Sequence, residues 1–326
     1  MESPQLDPTD RRILRELVMD PRASFRTLAA AGGVSDQTAG RRFRRLEDVI
    51  GLRVLGRVDP HRVGWTDWYL RMECLPGAAI ALAEALAHRS DTRWVVLASG
   101  GTEIVCALQV RTSRQRDALL LEGLPGSRRV TRLIAHSLLH DYSALAAAVL
   151  VGSLTERERA EFRRPSTPER DATVALSADD EKLLQRLAHD GRESNSSVAA
   201  SLGWNESRVR RRINELRRGG VLVFDIDVDG EALGMRTQAL LWASVEPEHL
   251  DAAGRAMAGH PEVPFVAATT GPTNLMATVV CPHPSDLYTY ITHRFASLPG
   301  VRNIESTPLI RTVKRAGPGL DIGAPD

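Results

Sequence analysis

The chain repeats itself once, and this duplication limits the architectures that it can adopt. Shifting the 326-residue sequence against itself by 170 positions aligns the first part of each half. The matched pairs include Leu6/Leu176, Asp10/Asp180, Leu14/Leu184, Asp20/Asp190, Arg22/Arg192, Gly33/Gly203, Arg42/Arg212, Leu46/Leu216 and Gly64/Gly234. Further along, Leu-Pro-Gly at 124–126 corresponds to Leu-Pro-Gly at 298–300. A solenoid needs at least about three repeats, so two copies predict a duplicated module instead.

Composition and charge exclude several classes of protein. Apolar residues make up 43% and charged residues 25% of the chain, as in globular proteins, and no apolar run is long enough to predict a membrane span. The N-terminal segment has no apolar stretch typical of signal peptides, and the three cysteines are far apart. We therefore expect a cytoplasmic protein without membrane association. The formal net charge of +1 means that a polyanion partner must be inferred from local charge.

Each copy begins with the pattern of a helix-turn-helix unit. Apolar residues at helical spacing predict one helix around Leu14 and a short second helix around Leu28, and Gly32-Gly33 ends the second. Ser35 then stands where the N-cap of a third helix is expected, and Asn205 holds that position in the second copy. Three short helices with a glycine turn before the last are typical of helix-turn-helix domains.

The third helix of the second copy lies within NESRVRRRINELRRGG at 205–220 and combines an apolar face with six arginines. Val209, Ile213 and Leu216 recur at i, i+4 and i+7 and predict the buried face. Six arginines against two glutamates give this helix a net charge of +4, whereas its counterpart at 35–48 carries +1. Arginine pairs with phosphate and with the guanine edge, so this surface predicts DNA binding rather than only a solvated helix face.

The candidate DNA-binding residues begin the third helices or lie along them. They are Ser35, Gln37, Thr38, Arg41, Arg42, Arg44 and Arg45 in the first copy, and Asn205, Ser207, Arg208, Arg210, Arg211, Arg212, Asn214 and Arg218 in the second. Arg211 is expected to read a base edge, and Arg212, which lies closer to the buried side, is expected to reach water and hold a phosphate. The mid-helix Gly40 and the lower charge predict weaker binding by the first copy.

The remainder of each copy alternates strands and helices in the order β-α-β-β-α-β, which is typical of a ferredoxin-like fold. The predicted fold class is therefore α+β, with two winged helix-turn-helix domains and two ferredoxin-like domains. The predicted boundaries are a winged helix-turn-helix at 1–60, a ferredoxin-like domain at 64–142, a linker at 143–175, a second winged helix-turn-helix at 176–230, a second ferredoxin-like domain at 234–315 and a tail at 316–326.

Both copies also carry a family pattern. In the first copy it comprises Leu6-Asp7, Asp10, Ile13-Leu14, Leu17, Asp20 and Arg22, a third helix containing RRFRRLE, and a V-D-P-x-x-x-G exit at Val58–Gly64; the first part recurs from Leu176 to Arg192. This pattern resembles the Lrp/AsnC (feast/famine) transcription regulators over nearly the whole chain. The resemblance implies winged helix-turn-helix domains that bind double-stranded DNA, each followed by a ferredoxin-like domain that self-associates and senses an amino acid or related small molecule.

The resemblance also places an effector site at the turn between the second and third strands of each sheet. The candidate effector-binding residues are Gly100, Gly101, Thr102 and Glu103 in the first copy and Thr270, Gly271, Thr273 and Asn274 in the second. Family members usually carry a Gly-x-Tyr-Asp-like turn there. Neither Gly100-Gly101-Thr102-Glu103 nor Gly271-Pro272-Thr273-Asn274 has the Tyr-Asp pair, which argues against a standard free amino acid as the ligand.

Other functions are weaker alternatives. His136 and His140 share a face of a predicted strand, but no third metal ligand is near in sequence, so we expect a packed or surface pair and no metal. No Gly-rich phosphate loop or nucleophile elbow is present, and we expect neither an enzyme nor a cofactor.

Siroheme decarboxylases resemble the same family and occur as tandems, but their expected His-x-Tyr-x-Arg-like stretch is missing from VVLASGGTEIV and FVAATTGPTNLM. A partner that only assembles with other family members is the third alternative.

The duplication also predicts how the chain assembles. In the family, two separate chains pair through their sensing domains. A linker of about twenty residues, with an end-to-end distance of roughly 25 Å, allows the two sensing domains of this chain to pair internally. One chain is then equivalent to one family dimer, with a DNA-binding unit of pseudo-twofold symmetry.

Overall fold

A computed structural model describes residues 6–124, 127–143 and 173–315. The predicted linker at 143–175, apart from its ends, and the predicted tail at 316–326 lie outside the described residues. No helix of the described part has the length and apolar character needed to cross a membrane.

Each copy opens with three helices and a strand, as the sequence predicts. The first copy contains α1 (Pro8–Met19), α2 (Phe25–Gly32), α3 (Asp36–Ile50) and β1 (Arg53–Val58). The corresponding elements of the second copy are α6 (Ala178–His189), α7 (Asn195–Leu202), α8 (Glu206–Arg218) and β6 (Leu222–Asp227). Gly33 and Gly203 end α2 and α7 with φ values of 69° and 66°, a conformation that glycine adopts without steric cost.

The two helix-turn-helix units are joined through their strands. β1 and β6 pair antiparallel, and the equivalent positions Leu55 and Asp225 face each other at the centre of the register. The strand that follows each third helix therefore pairs with the equivalent strand of the other copy, and the sequence does not predict this pairing. Because equivalent residues meet there, a pseudo-twofold axis passes between the two strands.

Two equivalent arginines fasten the units reciprocally. Arg22 donates to the carbonyl oxygens of Gly191 and Glu193 at 2.8 and 3.2 Å. Arg192 donates to Pro21 and to Ala23, also of the other copy, at 2.9 and 2.8 Å. The apolar residues of both units form one continuous core, so the two units pack as a single body.

The second part of each copy has the ferredoxin-like order, which confirms the predicted α+β fold class. The first copy contains β2 (Thr66–Cys74), α4 (Ala79–Ala87), β3 (Thr92–Ala98), β4 (Glu103–Val110), α5 (Ser113–Asp117, continued by a π-helical turn at Ala118–Gly123) and β5 (Val130–Asp141). The second copy contains β7 (Thr237–Val245), α9 (Leu250–Ala258), β8 (Phe265–Thr269), β9 (Leu275–Cys281), α10 (Pro284–Thr289, continued by a π-helical turn at Tyr290–Arg294) and β10 (Val301–Lys314). Short 3₁₀ turns occur at Pro60–Val63, Ser99–Gly101, Pro247–His249 and Phe295–Ser297.

The long last strand of each ferredoxin-like unit crosses into the other unit. β10 pairs with β7 of its own copy and then, from Leu309, with β3 of the first copy. β5 likewise pairs with β2 and then, from Leu138, with β8 of the second copy. The eight strands form one closed sheet in the order β10-β3-β4-β2-β5-β8-β9-β7. The internal pairing of the two units is therefore confirmed within this chain.

Replacing two helix glycines with alanine is expected to change the stability of the fold in opposite directions. A Cβ built on Gly40 in α3 meets no atom within 4 Å, so Gly40→Ala is expected to raise the free energy of unfolding by about 1 kcal/mol. A Cβ on Gly254 in α9 comes within 2.6 Å of the ring of Tyr142, the residue that follows β5. Gly254→Ala is expected to cost about 1–3 kcal/mol because it overpacks this contact between the copies. Denaturant unfolding of both variants measures the difference, and equal shifts would contradict this packing.

Candidate nucleic-acid interface

The third helices α3 and α8 present the polar faces that the sequence predicts. Their apolar stripes, Ala39, Phe43 and Leu46 in α3 and Val209, Ile213 and Leu216 in α8, are buried. Among the candidate DNA-binding residues on these helices, the exposed ones are Gln37, Arg41, Arg44 and Arg45 on α3, and Ser207, Arg208, Arg210, Arg211, Asn214 and Arg218 on α8. The exposed residues of α8 thus combine arginines with hydroxyl and amide groups, which are the side chains that contact phosphates and base edges in protein–DNA complexes.

Both third helices begin at the residues predicted as N-caps. The Ser35 hydroxyl accepts a hydrogen bond from the backbone amide of Thr38 at 3.3 Å and lies 3.0 Å from the Thr38 hydroxyl. The Asn205 side chain accepts from the backbone amide of Arg208 at 2.7 Å. The side chains of Ser35, Thr38 and Asn205 are therefore engaged in starting the helices.

Three of the candidate arginines hold the third helix against the first helix or its N-cap. Arg42 forms ion pairs with Asp7 at 2.6 Å and with Asp10 at 2.8 Å, and Arg45 pairs with Asp10 at 2.7 Å. Arg212 contacts both carboxylate oxygens of Asp180, at 2.7 and 2.9 Å. The buried Asp180 on α6 therefore holds the Arg212 guanidinium, while 30% of the Arg212 side chain remains exposed, and a phosphate contact by Arg212 stays a prediction.

The Asp180 carboxylate has an unusual environment for an acidic group. Hydrogen bonds from Arg212, together with those from the backbone and hydroxyl of Ser177, outweigh its burial and lower the pKa of Asp180 from 3.8 to about 2. A carboxyl whose pKa is lowered by folding stabilises the fold above its unfolded pKa. Its contribution, about 2–3 kcal/mol at roughly 1.4 kcal/mol per pKa unit, is lost as the pH falls from about 4 through about 2.

This ion pair predicts a specific acid response. Between pH 5 and pH 2, Asp180→Asn is expected to show a smaller loss of unfolding free energy than the wild-type chain, because it has no carboxylate to protonate there. Equilibrium unfolding across this pH range measures the two slopes. Parallel curves would show that Asp180 has the same pKa in the folded and unfolded chain.

The first residues of α8 form a contact that no sequence pattern indicated. The guanidinium carbon of Arg208 lies 3.9 Å from the centroid of the Trp204 ring. The indole nitrogen of Trp204 donates to Asp179 at 3.3 Å, and Asp179 also lies 3.7 Å from an Arg208 nitrogen. Trp204 follows the glycine that ends α7, so an aromatic residue in the turn was the available signal for this stacked arginine.

The remaining arginines of the two helices are unequally available. Arg211 lies 3.7 Å from Glu215 and its side chain is 74% exposed. Within the described part of the chain, Arg210 and Arg218 on α8 and Arg41 and Arg44 on α3 have no ion pair. Because Asp7 and Asp10 engage two of the four arginines of α3, the charge difference predicted from the sequence persists in the structure.

The candidate effector residues lie in two equivalent turns, at 99–103 and 270–274, and several of them make internal contacts. The buried Glu103 accepts from Arg71 and from Ser99, both at 2.7 Å. The Asn274 amide exchanges hydrogen bonds with the backbone of Val245 at 2.7 and 2.8 Å. The hydroxyl groups of Thr102 and Thr270 form hydrogen bonds with backbone atoms. Gly100 and Gly271 are exposed, and Gly101 and Thr273 are half-buried. The Thr273 hydroxyl has no hydrogen-bond partner.

The two histidines of β5 have different surroundings and do not converge on a site. His136 is buried, stacks on Trp242 with ring centroids 4.8 Å apart, and bonds the carbonyl of Thr270 at 2.7 Å. Burial lowers the pKa of His136. His140 instead packs edge-on against Tyr142. Both are packed side chains, as expected.

One group of potential metal ligands occurs among the described residues. Glu246, Glu248 and His249 have ligand atoms within 4.8 Å of one another. Glu246 already forms an ion pair with Arg302 at 3.1 Å, and the Glu248 side chain is 77% exposed. An exposed cluster of this kind, with a cation already paired, does not constitute a built metal site.

Comparison with known proteins identifies the domains. Residues 6–47 and 176–217 both match the AsnC-type helix-turn-helix domain. Residues 238–318 match the Lrp/AsnC ligand binding domain. Together these matches cover about half of the chain and include both helix-turn-helix units.

Relatives and solved structures agree with these matches. HTH-type transcriptional regulator FL11 of Pyrococcus horikoshii is 27% identical over 142 residues, which is 43% of this chain and 93% of that protein. An uncharacterized HTH-type transcriptional regulator of Pyrococcus abyssi is 29% identical over 145 residues, or 44% of this chain and 91% of that protein. Each of these relatives therefore corresponds to about one copy.

One solved structure has the same fold over both copies. The siroheme decarboxylase NirDL superposes with a TM-score of 0.63 at 13% identity, covering 94% of this chain and 93% of that chain. At this identity the similarity shows the fold alone. The chain belongs to the Lrp/AsnC family of transcription regulators, and it carries the family's helix-turn-helix domain twice.

Proposed function

We propose that this chain is a sequence-specific DNA-binding regulator in which α3 and α8 serve as recognition helices. The observation that carries the proposal is the exposed face of α8, where Ser207, Arg210, Arg211, Asn214 and Arg218 face outward. These groups donate to phosphate oxygens and to base edges, while the opposite face is anchored in the core.

The pairing of β1 with β6 supports binding to two inverted half-sites. The register that sets Leu55 opposite Asp225 relates the two helix-turn-helix units by a pseudo-twofold axis. A twofold pair of recognition helices matches a palindromic operator, with half-sites about one helical turn or a multiple of it apart. One chain therefore supplies both recognition helices of a family dimer, and higher assembly through the ferredoxin-like domains is a further part of the proposal.

We further propose that α8 contributes more affinity than α3. Five arginines of α8, namely 208, 210, 211, 217 and 218, are exposed and do not contact a buried carboxylate, whereas on α3 only Arg41 and Arg44 meet both conditions. Neutralising phosphates releases counterions, so the helix with more available arginines supplies more of the electrostatic binding free energy.

A small-molecule response is a separate part of the proposal. The turns at 99–103 and 270–274 offer exposed glycines and backbone groups to a ligand, because Glu103 and Asn274 are engaged internally. We propose that any effector bound there is recognised mainly through backbone contacts. The Glu103 carboxylate is already engaged, so an amino-acid ligand that requires a free side-chain carboxylate from these turns is disfavoured.

The experiment that tests the main proposal is selection of bound genomic DNA fragments by the full chain, followed by footprinting. Recovery of a shared motif with two inverted half-sites is the expected result. Fragments without a common motif, retained only at low salt, would indicate nonspecific binding and contradict the proposal. The absence of retention at any salt concentration would favour a partner that assembles without binding DNA.

An enzymatic role is the second candidate, because the fold of NirDL extends over both copies of this chain. A second NirDL structure is a co-complex with an iron-uroporphyrin III analogue. The histidine of the His-x-Tyr-x-Arg-like stretch expected in siroheme decarboxylases is missing from this chain's turns at 99–103 and 270–274. Mixing the protein with siroheme is expected to leave the siroheme absorption spectrum unchanged. A shifted Soret band that saturates at one siroheme per chain would support the enzymatic role.

A further inference from the structure

The start of α8 carries an arginine arrangement with no counterpart at the start of α3. Arg208 is stacked on Trp204 at 3.9 Å and lies 3.7 Å from Asp179, which also accepts the indole hydrogen bond. The Arg208 and Asp179 side chains are half-exposed, at 50% and 45%. The guanidinium is thus held against the indole ring, while half of the Arg208 side chain remains exposed to a ligand.

The equivalent positions of the first copy have different chemistry. The alignment pairs Asp179 with Thr9, Trp204 with Val34 and Arg208 with Thr38. The Thr38 hydroxyl lies 3.0 Å from Ser35 at the helix cap, and its side chain is only partly exposed. At equivalent positions of the two third helices, α8 therefore presents a long cationic side chain, whereas α3 presents a short hydroxyl that is already hydrogen-bonded to the N-cap serine.

We infer that Arg208, positioned by Trp204 and Asp179, reads a guanine in only one of the two half-sites, so that the operator of this chain is asymmetric. The inference rests on the proposed DNA-binding function. Residues at the N-terminus of a recognition helix contact base edges in the major groove. Guanine presents two acceptors, O6 and N7, on that edge, whereas adenine and thymine each present one acceptor and cytosine presents only a donor. A guanidinium, which has donors only, therefore forms a bidentate pair with guanine alone.

The stack explains why Trp204 acts as a positioning residue. A free arginine side chain loses rotamer freedom when it binds, and this loss weakens affinity. The Trp204 ring holds the guanidinium plane before DNA arrives, and Asp179 fixes the ring through its indole nitrogen. Thr38 has no such support, and its hydroxyl can donate only one hydrogen bond to a base.

The test is selection from a random duplex library by the full chain, scored for each half-site separately. The expected site is an inverted repeat with a guanine at one position of one half-site and no preference at the equivalent position of the other. Replacing that guanine is expected to weaken binding about 5- to 150-fold, which corresponds to one bidentate base contact. A site with guanine at both or neither of these positions would overturn the inference.

Variants separate base reading from general affinity. Arg208→Ala is expected to abolish the guanine preference and leave the preferences at other positions in place. Trp204→Leu is expected to reduce the guanine preference about tenfold while the salt dependence of nonspecific binding stays unchanged, and Trp204→Phe, which keeps an aromatic ring, is expected to restore part of it. An unaltered guanine preference in Arg208→Ala would overturn the assignment.

A graft provides the reciprocal test. Thr9→Asp, Val34→Trp and Thr38→Arg together transfer the arrangement to α3, and the selected site is expected to gain guanine in the second half-site and become more symmetric. Circular dichroism checks that the graft folds, and Arg208→Ala decides the question if it does not. A library that yields no enriched motif contradicts the proposed function itself, whereas an enriched motif without the asymmetric guanine contradicts only this inference.

Discussion

Replacing Arg208 and Arg211 together with glutamate is expected to cost about 2–6 kcal/mol of DNA-binding free energy, since each DNA-contacting arginine contributes about 1–3 kcal/mol. Arg211 is 74% exposed and Arg208 is 50% exposed, so both are accessible to a duplex docked as proposed. The reversal also places two negative charges beside phosphates. Fluorescence anisotropy with a selected duplex at about 150 mM salt measures the loss.

The matched control reverses Arg41 and Arg44 on α3. These arginines are exposed as well, but they belong to the helix of lower local charge, so a smaller loss of affinity is expected. Both double variants retain the Asp10 and Asp180 ion pairs, and their unfolding curves are expected to match that of the wild-type chain. A larger loss from the α3 variant would contradict the proposed dominance of α8.

Replacing Arg212 with alanine is expected to destabilise the fold by about 3 kcal/mol, the lower end of the range for removing one partner of a buried ion pair. Asp180 is 3% exposed and receives two hydrogen bonds from Arg212. Ser177 continues to donate to the same carboxylate, which places the loss at the lower end. Denaturant unfolding at pH 7 measures it.

Two neighbouring replacements serve as controls. Arg211→Ala, one residue away and largely exposed, is expected to change the unfolding free energy by less than about 0.5 kcal/mol. Arg42→Ala is expected to cost less than Arg212→Ala, because Asp10 keeps its ion pair with Arg45. If Arg211→Ala and Arg212→Ala destabilise the chain equally, Arg212 does not anchor α8 to α6.

Local sequence signals predicted most of the fold. The spacing of Val209, Ile213 and Leu216 identifies the buried face of α8, and Ser35 and Asn205 begin their helices because their side chains satisfy backbone amides there. These features depend on residues within a few positions of each other. Periodicity and capping chemistry are therefore sufficient to place them.

Contacts between distant segments were not predictable in the same way. The repeat aligned Arg22 with Arg192 and Asp10 with Asp180, but it did not reveal that the first pair joins the two copies while the second holds an arginine of the third helix. The same arginine chemistry suits an aspartate, a carbonyl or a phosphate. Only the folded arrangement separates the arginines that hold the fold from those that remain open to DNA.

The measurement that tests the central claim most directly is competition between a selected operator and a duplex of the same length and composition in scrambled order, at about 150 mM salt. We predict that the full chain prefers the operator by at least about 10³-fold, the lower limit typical of specific regulators, and that Arg208→Glu/Arg211→Glu loses most of this preference. Equal affinities for the two duplexes would contradict sequence-specific recognition by α3 and α8.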